Sequence, residues 1–409
     1  MLTTRTGRSS SSSSSSTTDQ PSTTTPSLPA LSTTTTITAI RHSTTQTTPP
    51  LPTEVIHRIL SYSTQGTLAS ACRTSKALYR IASPLLWKHL VLSPWKLDEN
   101  GDEVLDEKGK KVLDENKKDC GGMKTRQKNG KALRNDVITS SLYHHSAEWC
   151  QSRARSTLQL PNLRTLHLHV TGTGSLHSSG YECRLLRVVK PQILVLHNAF
   201  IGGPNLKMWE VPKLSTNNIH TIFFISPADQ ALEPERRGFS LFPRVPKIKD
   251  IYWLFEPVEV DESNVLTSDI PMFHRQDYRD KIVELSLKFP NARLTIINAG
   301  IIQHYHKRCP KVPIEASERE AAQVVSRKLN GTLVGYDFWS PERKRQKVGS
   351  TTFVSFEKFI EKETWWKYLE VKEVMKWKKL MVAIHKKNSE DVEARKVAGG
   401  NATDKVTFI

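Results

Sequence analysis

A short apolar pattern that recurs between residues 160 and 255 constrains the fold of this chain more than any other feature. Its frame is apolar-x-x-apolar-x-apolar, and successive copies lie 28, 28 and 29 residues apart. The middle positions of the four copies are Leu166, Leu194, Ile222 and Ile251. Each copy has the length of one short strand, so the even spacing predicts a stack of strands joined by longer connections.

The copy LPNLRTLHLHV, residues 160–170, resembles the leucine-rich-repeat family. The resemblance implies an α/β fold in which residues 135–310 form a short, irregular leucine-rich-repeat-like solenoid that recognises a substrate. The alternative is an ordinary α/β domain whose strands agree in spacing by chance. Farther along, residues 282–287 fit either the next strand or a helix, with residues 294–297 as the strand that follows it.

The side chains between and after the frame positions form a second face of the predicted strands, because successive residues of a strand point to opposite sides. If the frame residues fill the core, this second face is the concave one, and its apolar and aromatic character favours partner binding. The alternative is that a loop or the C-terminal region covers it. We predict that the face binds a protein substrate through His167, His169, Val195, His197, Phe223, Ile225, Tyr252 and Leu254.

Three histidines on that face, His167, His169 and His197, are a set of side chains that zinc accepts. However, no carboxylate or cysteine joins them at a matching position. The five cysteines of the chain are scattered and never spaced as CxxC, which argues against a zinc site and against a disulfide framework. We therefore predict no metal and no cofactor.

Residues 51–93 form a second apolar unit, with helical rather than strand periodicity. Pro52 suits the first turn of a helix, and Ser83-Pro84 is expected to end the last one, because a residue before proline avoids the α region. So short a segment buries too little surface to be very stable alone, so we expect it to dock on something. The apolar positions are Val55, Ile56, Ile59, Leu60 and Tyr62, then Leu68, Ala71, Cys72, Leu78, Ile81 and Ala82.

The motif LPTEVIHRILSY at residues 51–62, followed by Cys72-x-x-Ser75-Lys76 and the downstream Leu86-Trp87-Lys88, resembles an F-box of the style common in fungal proteins. The resemblance implies a three-helix motif that binds the Skp adaptor of a cullin–RING ubiquitin ligase. It also implies that Trp87 packs the motif onto the downstream domain. The residues that it places at the adaptor interface are Leu51, Pro52, Val55, Ile59, Leu60 and Leu68.

Two segments beside the F-box-like unit are predicted to lack a core. Residues 1–50 are almost entirely Ser, Thr and Pro and read as a disordered tail. Residues 94–134 carry a charged repeat of Leu-Asp-Glu and read as a mobile insertion, in which a weak surface hairpin is conceivable.

The C-terminal region, residues 311–409, is predicted to be helical, with one helix from Glu315 to Leu329 and a basic amphipathic pattern from Ser355 onward. We expect that pattern to cap the end of the solenoid, since such arrays need capping. The alternatives are a calmodulin target and a helix on an acidic membrane surface. The basic string at Lys344, Arg345 and Lys347 matches a nuclear-localisation pattern.

The function that these features favour is that of a substrate-recognition adaptor in an SCF-type ubiquitin ligase, with the Skp adaptor, a cullin and a protein substrate as partners. The chain shows no P-loop, GxGxxG, GxSxG or HExxH, so we do not expect an enzyme. The net charge of +18 is spread along the chain without a nucleic-acid-binding signature. Alternatives are an F-box scaffold outside a ligase and a basic nuclear or nucleic-acid-associated protein. With no signal peptide and no long apolar run, we expect a cytoplasmic or nuclear protein that binds no membrane.

Overall fold

A computed structural model of the chain describes residues 51–63, 65–96, 104–108, 110–112, 135–146, 160–169, 183, 189–198, 218–228, 247–259, 277–305, 312–337, 339–362 and 364–398. The predicted disordered tail, residues 1–50, and most of the predicted insertion, residues 94–134, lie outside the described residues.

Three helices open the described chain: α1 (Thr53–Ser61), α2 (Gln65–Thr74) and α3 (Lys76–Trp87). Ser75 caps α3, where its side chain accepts a hydrogen bond from the backbone N–H of Leu78. The prediction that Ser83-Pro84 ends the third helix is wrong, because α3 continues through Pro84 to Trp87. Leu85 and Leu86 of that last turn pack within the helical unit, and Trp87 packs against the main core. These contacts stabilise the helical conformation after Pro84.

The rest of the described chain is built on one parallel sheet of eight strands, which confirms the predicted α/β class. Each strand pairs with the next one in the chain, so the order in the sheet is the order in the sequence. The strands are β1 (His89–Leu92), β2 (Thr139–Tyr143), β3 (Thr165–His169), β4 (Ile193–His197), β5 (Thr221–Pro227), β6 (Asp250–Glu256), β7 (Arg293–Ile297) and β8 (Thr351–Val354).

The middle residues of the four repeated frames lie in one register row across the sheet. Leu166 pairs with Leu194, Leu194 with Ile222 and Ile222 with Ile251. The row continues to Leu294 on β7. The sheet also extends beyond the predicted repeat region of residues 135–310, since β1 precedes that region and β8 follows it.

Helices occupy the chain between and after the last strands. The segment around Ile282 is a helix, α4 (Asp277–Lys288), so the second of the two alternatives for it is correct. A 3₁₀ helix (Ala299–Tyr305) follows β7, and the long α5 (Ile314–Val334) runs through Asn330-Gly331, where a stop was predicted. The remaining helices are α6 (Pro341–Gly349), α7 (Phe356–Ile360), a 3₁₀ turn (Trp365–Lys367) and α8 (Val371–Ala398).

The sheet is covered on both faces. All residues of β5, TIFFISP, are buried, and side chains of alternating direction from β4 to β7 belong to the same core cluster. Parallel sheets are normally buried on both faces, and their strands then read as continuous apolar runs. The residues that cover one of these faces come from the C-terminal segment, defined as the described residues from Phe356 to Asn388, which packs on the sheet itself rather than only at its end.

The predicted weak hairpin is present within the described part of residues 94–134. Leu105 and Lys111 form an antiparallel bridge, and the Asp106 carboxylate accepts hydrogen bonds from the backbone N–H groups of Lys108 and Lys110. These contacts fit the turn chemistry of aspartate.

Candidate functional site

The outer face of α1 carries exposed apolar side chains. Ile59 is 55% exposed, Val55 and Leu51 are exposed as well, and Pro52 precedes the first turn. Val55 and Ile59 are four residues apart and therefore neighbours on the helix surface. Four of the six residues predicted to contact the Skp adaptor are thus exposed and available to a partner.

The other two predicted contact residues are corrected by the structure. Leu60 is 8% exposed and Leu68 is also buried, and both pack with Ala82 in the small core of the three-helix unit. They lie on the inner side because helices this short must use part of their apolar surface to hold each other together. Leu60 and Leu68 thus belong to the core of the three-helix unit, and the exposed members of the predicted contact set are Leu51, Pro52, Val55 and Ile59.

The three-helix unit is joined to the sheet without a linker. α3 ends at Trp87, and β1 begins at His89. Trp87 packs against the main core, as expected from its position. α3 therefore leads directly from the small core of the three-helix unit to the first strand of the sheet.

The predicted substrate face is not exposed, which is a correction. Of its eight residues, His167, Val195, His197, Phe223, Ile225 and Leu254 are buried, and His169 and Tyr252 are half-buried.

Aromatic side chains of the C-terminal segment cover the middle of this face. The Phe223 ring lies 5.9 Å from the Phe359 ring and 5.7 Å from the Tyr368 ring, measured between centroids. Tyr252 stacks beside Phe223 and lies 5.1 Å from Tyr368. Burying these large rings contributes to stability and closes the middle of the face to a substrate.

The histidines at one end of the face form a buried cluster. His167 Nδ1 and His197 Nε2 are 3.0 Å apart, which is a hydrogen bond between the two rings. The His169 ring stacks between Tyr143, at 3.9 Å, and His197, at 4.0 Å. His89 on β1 completes the cluster, with its ring 6.3 Å from that of His167. His89 was missed because a single histidine in a short strand gives no signal in the sequence.

Two glutamates of the C-terminal segment contact this cluster. Glu373 lies 3.4 Å from His197 Nδ1, and Glu370 lies 3.5 Å from His89 Nε2. Ser141 on β2 links the same groups, because its Oγ is 2.8 Å from His89 Nε2 and 3.4 Å from Glu370 Oε1. Within the described residues, no group of three or more histidines, cysteines and carboxylates is arranged to hold a metal ion.

Burial governs the ionisation of the cluster. It lowers the pKa of His167, His169 and His197 well below the ordinary value for histidine, and the neighbouring histidines lower it further. Burial also lowers the pKa of His89, although Glu370 opposes this. The cluster is therefore neutral at pH 7, and the face of the sheet beneath the glutamates carries no positive charge from these rings.

Asn298 is a structural residue that the sequence did not indicate. It follows β7 with a positive φ of 66°, a conformation that asparagine tolerates better than most residues. Its side-chain amide donates hydrogen bonds to the carbonyl of Phe255 on the neighbouring strand and to the sulfur of Met381 on α8. Asn298 thus ties the end of β7 to the C-terminal segment.

The predicted nuclear-localisation string does not lie on an open loop. Lys344, Arg345 and Lys347 belong to α6, and Lys347 is buried, with Nζ donating to the carbonyls of Phe289 and Ala292. Burial lowers the pKa of Lys347 to about 8. Arg345 is exposed and Lys344 is half-buried, so the string does not present three accessible cations.

Comparison with known families identifies the three-helix unit. Residues 49–93 match the F-box-like family. No curated protein matches the chain. Among the described residues, no helix combines the length and the apolar character that crossing a membrane requires. The chain therefore carries an F-box-like domain, formed by α1, α2 and α3.

Proposed function

We propose that this protein is a substrate-recognition adaptor of an SCF-type cullin–RING ubiquitin ligase. The observation that carries the proposal is the exposed apolar face of α1, Val55 and Ile59 above all, within a domain that matches the F-box-like family. The domain would bind the Skp adaptor, and through it a cullin, while the remainder of the chain recruits a protein substrate.

The distribution of apolar side chains supports a docking role for α1. Leu60 points into the small core, whereas Ile59, its neighbour in the chain, is exposed. An amphipathic helix with apolar residues on its outer face as well gains stability when that face is buried in a partner. Pro52 immediately precedes the first turn of the same helix and is exposed as well.

The sheet region supports the proposal that the remainder of the chain recruits a protein substrate. Its eight parallel strands follow one another in chain order, and the frame residues keep one register. We take this arrangement as leucine-rich-repeat-like, in which each repeat contacts its neighbours and the array supplies a long rigid support. The protein itself would perform no catalysis, and we expect it in the cytoplasm, the nucleus or both.

The proposal is tested by binding of the full chain to purified Skp adaptor. Replacing an exposed apolar contact by a charge removes a favourable contact and buries an unpaired carboxylate, so Ile59→Glu is expected to weaken binding at least tenfold, or about 1.4 kcal/mol. Val334→Glu is the matched control, because Val334 is also an exposed apolar residue on a helix but lies far along the chain, in α5. Failure of the unaltered chain to bind the adaptor would overturn the proposal.

A second measurement separates the ligase function from the alternatives. Co-purification of a cullin together with the Skp adaptor supports the ligase. An adaptor complex that never includes a cullin would point to a scaffold. Retention on nucleic acid that weakens steeply with added salt, without adaptor binding, would point to a basic nucleic-acid-associated protein.

A further inference from the structure

α8 has two different faces. Its inner side contributes Val374, Trp377, Met381 and Ile384 to the main core. Several apolar residues away from that side remain exposed. In the first half of the helix they are Val371 at 61%, Met375 at 51% and Val382 at 72%, and Val397 is exposed near the C-terminal end. A helix that already has a buried face does not need further apolar residues for its own folding.

The three exposed residues of the first half form one stripe. At 100° per residue, Val371, Met375 and Val382 fall within about 40° of one another around the helix axis and extend over about 16 Å along it. Trp366, on the 3₁₀ turn that precedes α8, is also exposed, and Lys367 Nζ lies 5.7 Å from its ring centroid. We name Val371, Met375 and Val382 the outer stripe.

Positive charge surrounds the outer stripe. Residues 371–387 contain six lysines and one glutamate. That glutamate, Glu373, lies beside His197 of the sheet, so its charge is directed inward. The exposed lysines of this part of α8 are Lys372, Lys376, Lys378, Lys379 and Lys386.

We propose that the outer stripe and its lysines are the substrate-docking surface of the adaptor, and that it binds an acidic amphipathic helix of a protein substrate. This rests on the proposed function and names its substrate class. The C-terminal segment covers the predicted substrate face of the sheet, and the outer side of that segment is the exposed surface above it. Apolar side chains of the substrate helix would contact the outer stripe, and its carboxylates would pair with the exposed Lys378, Lys379 and Lys386.

The arrangement of the lysines favours a protein over a lipid surface. Lys378 and Lys379 lie between Met375 and Val382 along the helix, and Lys378 points in nearly the same direction as the stripe. Insertion into the acyl boundary of a bilayer requires a continuous apolar face, and burying a charged lysine there is costly. A protein helix can place a carboxylate opposite each lysine instead.

The test uses the full chain in complex with the Skp adaptor and two labelled probe peptides. Both are helical and about 20 residues long, enough to span the stripe, with leucine on one face. One carries glutamate on the other face, and the second carries lysine there. Fluorescence anisotropy is measured at low and high salt, and adaptor binding is measured on the same samples.

The glutamate peptide is expected to bind at least tenfold more tightly than the lysine peptide, with an affinity that falls as salt is added. Met375→Glu with Val382→Glu should reduce that affinity at least tenfold, and so should Lys378→Ala with Lys379→Ala. Val334→Glu, the matched control, should leave it unchanged. All variants should retain adaptor binding, because the substituted positions are exposed and lie outside the F-box-like domain.

Three results would overturn the inference while adaptor binding persists. They are equal binding of the two peptides, unchanged affinity in the stripe variants, and tighter binding to phosphatidylserine-containing vesicles than to the glutamate peptide, which would indicate a lipid ligand. Loss of adaptor binding in the unaltered chain would instead overturn the proposed function, whatever the peptides show.

Discussion

Single residues decide how this protein responds to acid. The histidine cluster is buried between the sheet and the C-terminal segment, and the pKa of each of its buried rings is lowered. The unfolded chain therefore takes up more protons than the folded protein once the pH falls below about 6.5, the ordinary histidine value. The free energy of unfolding therefore decreases as the pH falls below that value. Glu370 reduces this loss where it contacts His89, because its negative charge raises the pKa of that ring.

Replacing His169 by phenylalanine should make the protein less sensitive to acid. The phenylalanine ring can keep the stack between Tyr143 and His197. It removes a titrating group and the buried Nε2 atom, which has no hydrogen-bond partner in the described part of the chain. For one histidine, the substitution should raise the free energy of unfolding at pH 5, relative to its effect at pH 8, by at most about 2 kcal/mol. Chemical denaturation at both pH values measures it, and an equal change at the two values would contradict this explanation.

At the scale of elements, two helices between β7 and β8 depend on one close approach of the backbone. Gly300 lies in the 3₁₀ helix after β7, and a Cβ there would overlap the carbonyl oxygen of Ile314 at the start of α5. The sequence predicted α5 but ended it at Asn330-Gly331. A Cβ added at Gly331 would meet no side chain and no other element of the described chain within 4 Å, and the helix continues past this glycine.

Alanine substitution at these two glycines should have opposite effects on stability. Gly300→Ala must displace the start of α5 and is expected to lower the free energy of unfolding by about 1–3 kcal/mol. Gly331→Ala removes a flexible residue from the interior of a helix and is expected to raise it by about 0.5–1 kcal/mol. Thermal and denaturant unfolding of the two variants are the measurements. A Gly300→Ala protein as stable as the unaltered chain would show that the two helices can separate without cost.

At the scale of the whole molecule, the buried apolar residues of the described chain divide between two separate cores. Apolar residues of the sheet and of the C-terminal segment share one core cluster, whereas the F-box-like domain has a small core of its own. The residues predicted to bind a substrate therefore stabilise the fold, and those predicted to bind the adaptor are divided between its surface and its interior.

Two truncations of large apolar side chains should affect stability and adaptor binding separately. Phe223→Ala empties a site between β6, α7 and the turn before α8, and is expected to lower the free energy of unfolding by about 3–5 kcal/mol while the folded fraction still binds the Skp adaptor. Ile59→Ala, at an exposed position, is expected to change stability by about 0.5 kcal/mol or less and to weaken adaptor binding. Calorimetry combined with adaptor titration tests both. Weak adaptor binding by folded Phe223→Ala protein would contradict the separation.

Local patterns in the chain were sufficient for much of this architecture. The frame around Leu166, Leu194, Ile222 and Ile251 predicted four neighbouring strands and their register, because strand periodicity is a local property of the sequence. The F-box-like domain was recognisable for the same reason, since its motif is continuous in the chain. The continuous apolar run of β5 was a further signal, which favoured a sheet buried on both sides, and its significance was missed.

Local periodicity shows which residues share a face of a strand or helix, but what lies against that face depends on how distant segments of the chain fold together. Phe223 and Tyr368 are neighbours in space although they are far apart in the chain, and no periodicity within either segment relates them. The same holds for His197 and Glu373. Burial depends on packing between distant segments. Only the folded structure therefore shows that the predicted substrate face belongs to the core and that the outer stripe of α8 remains at the surface.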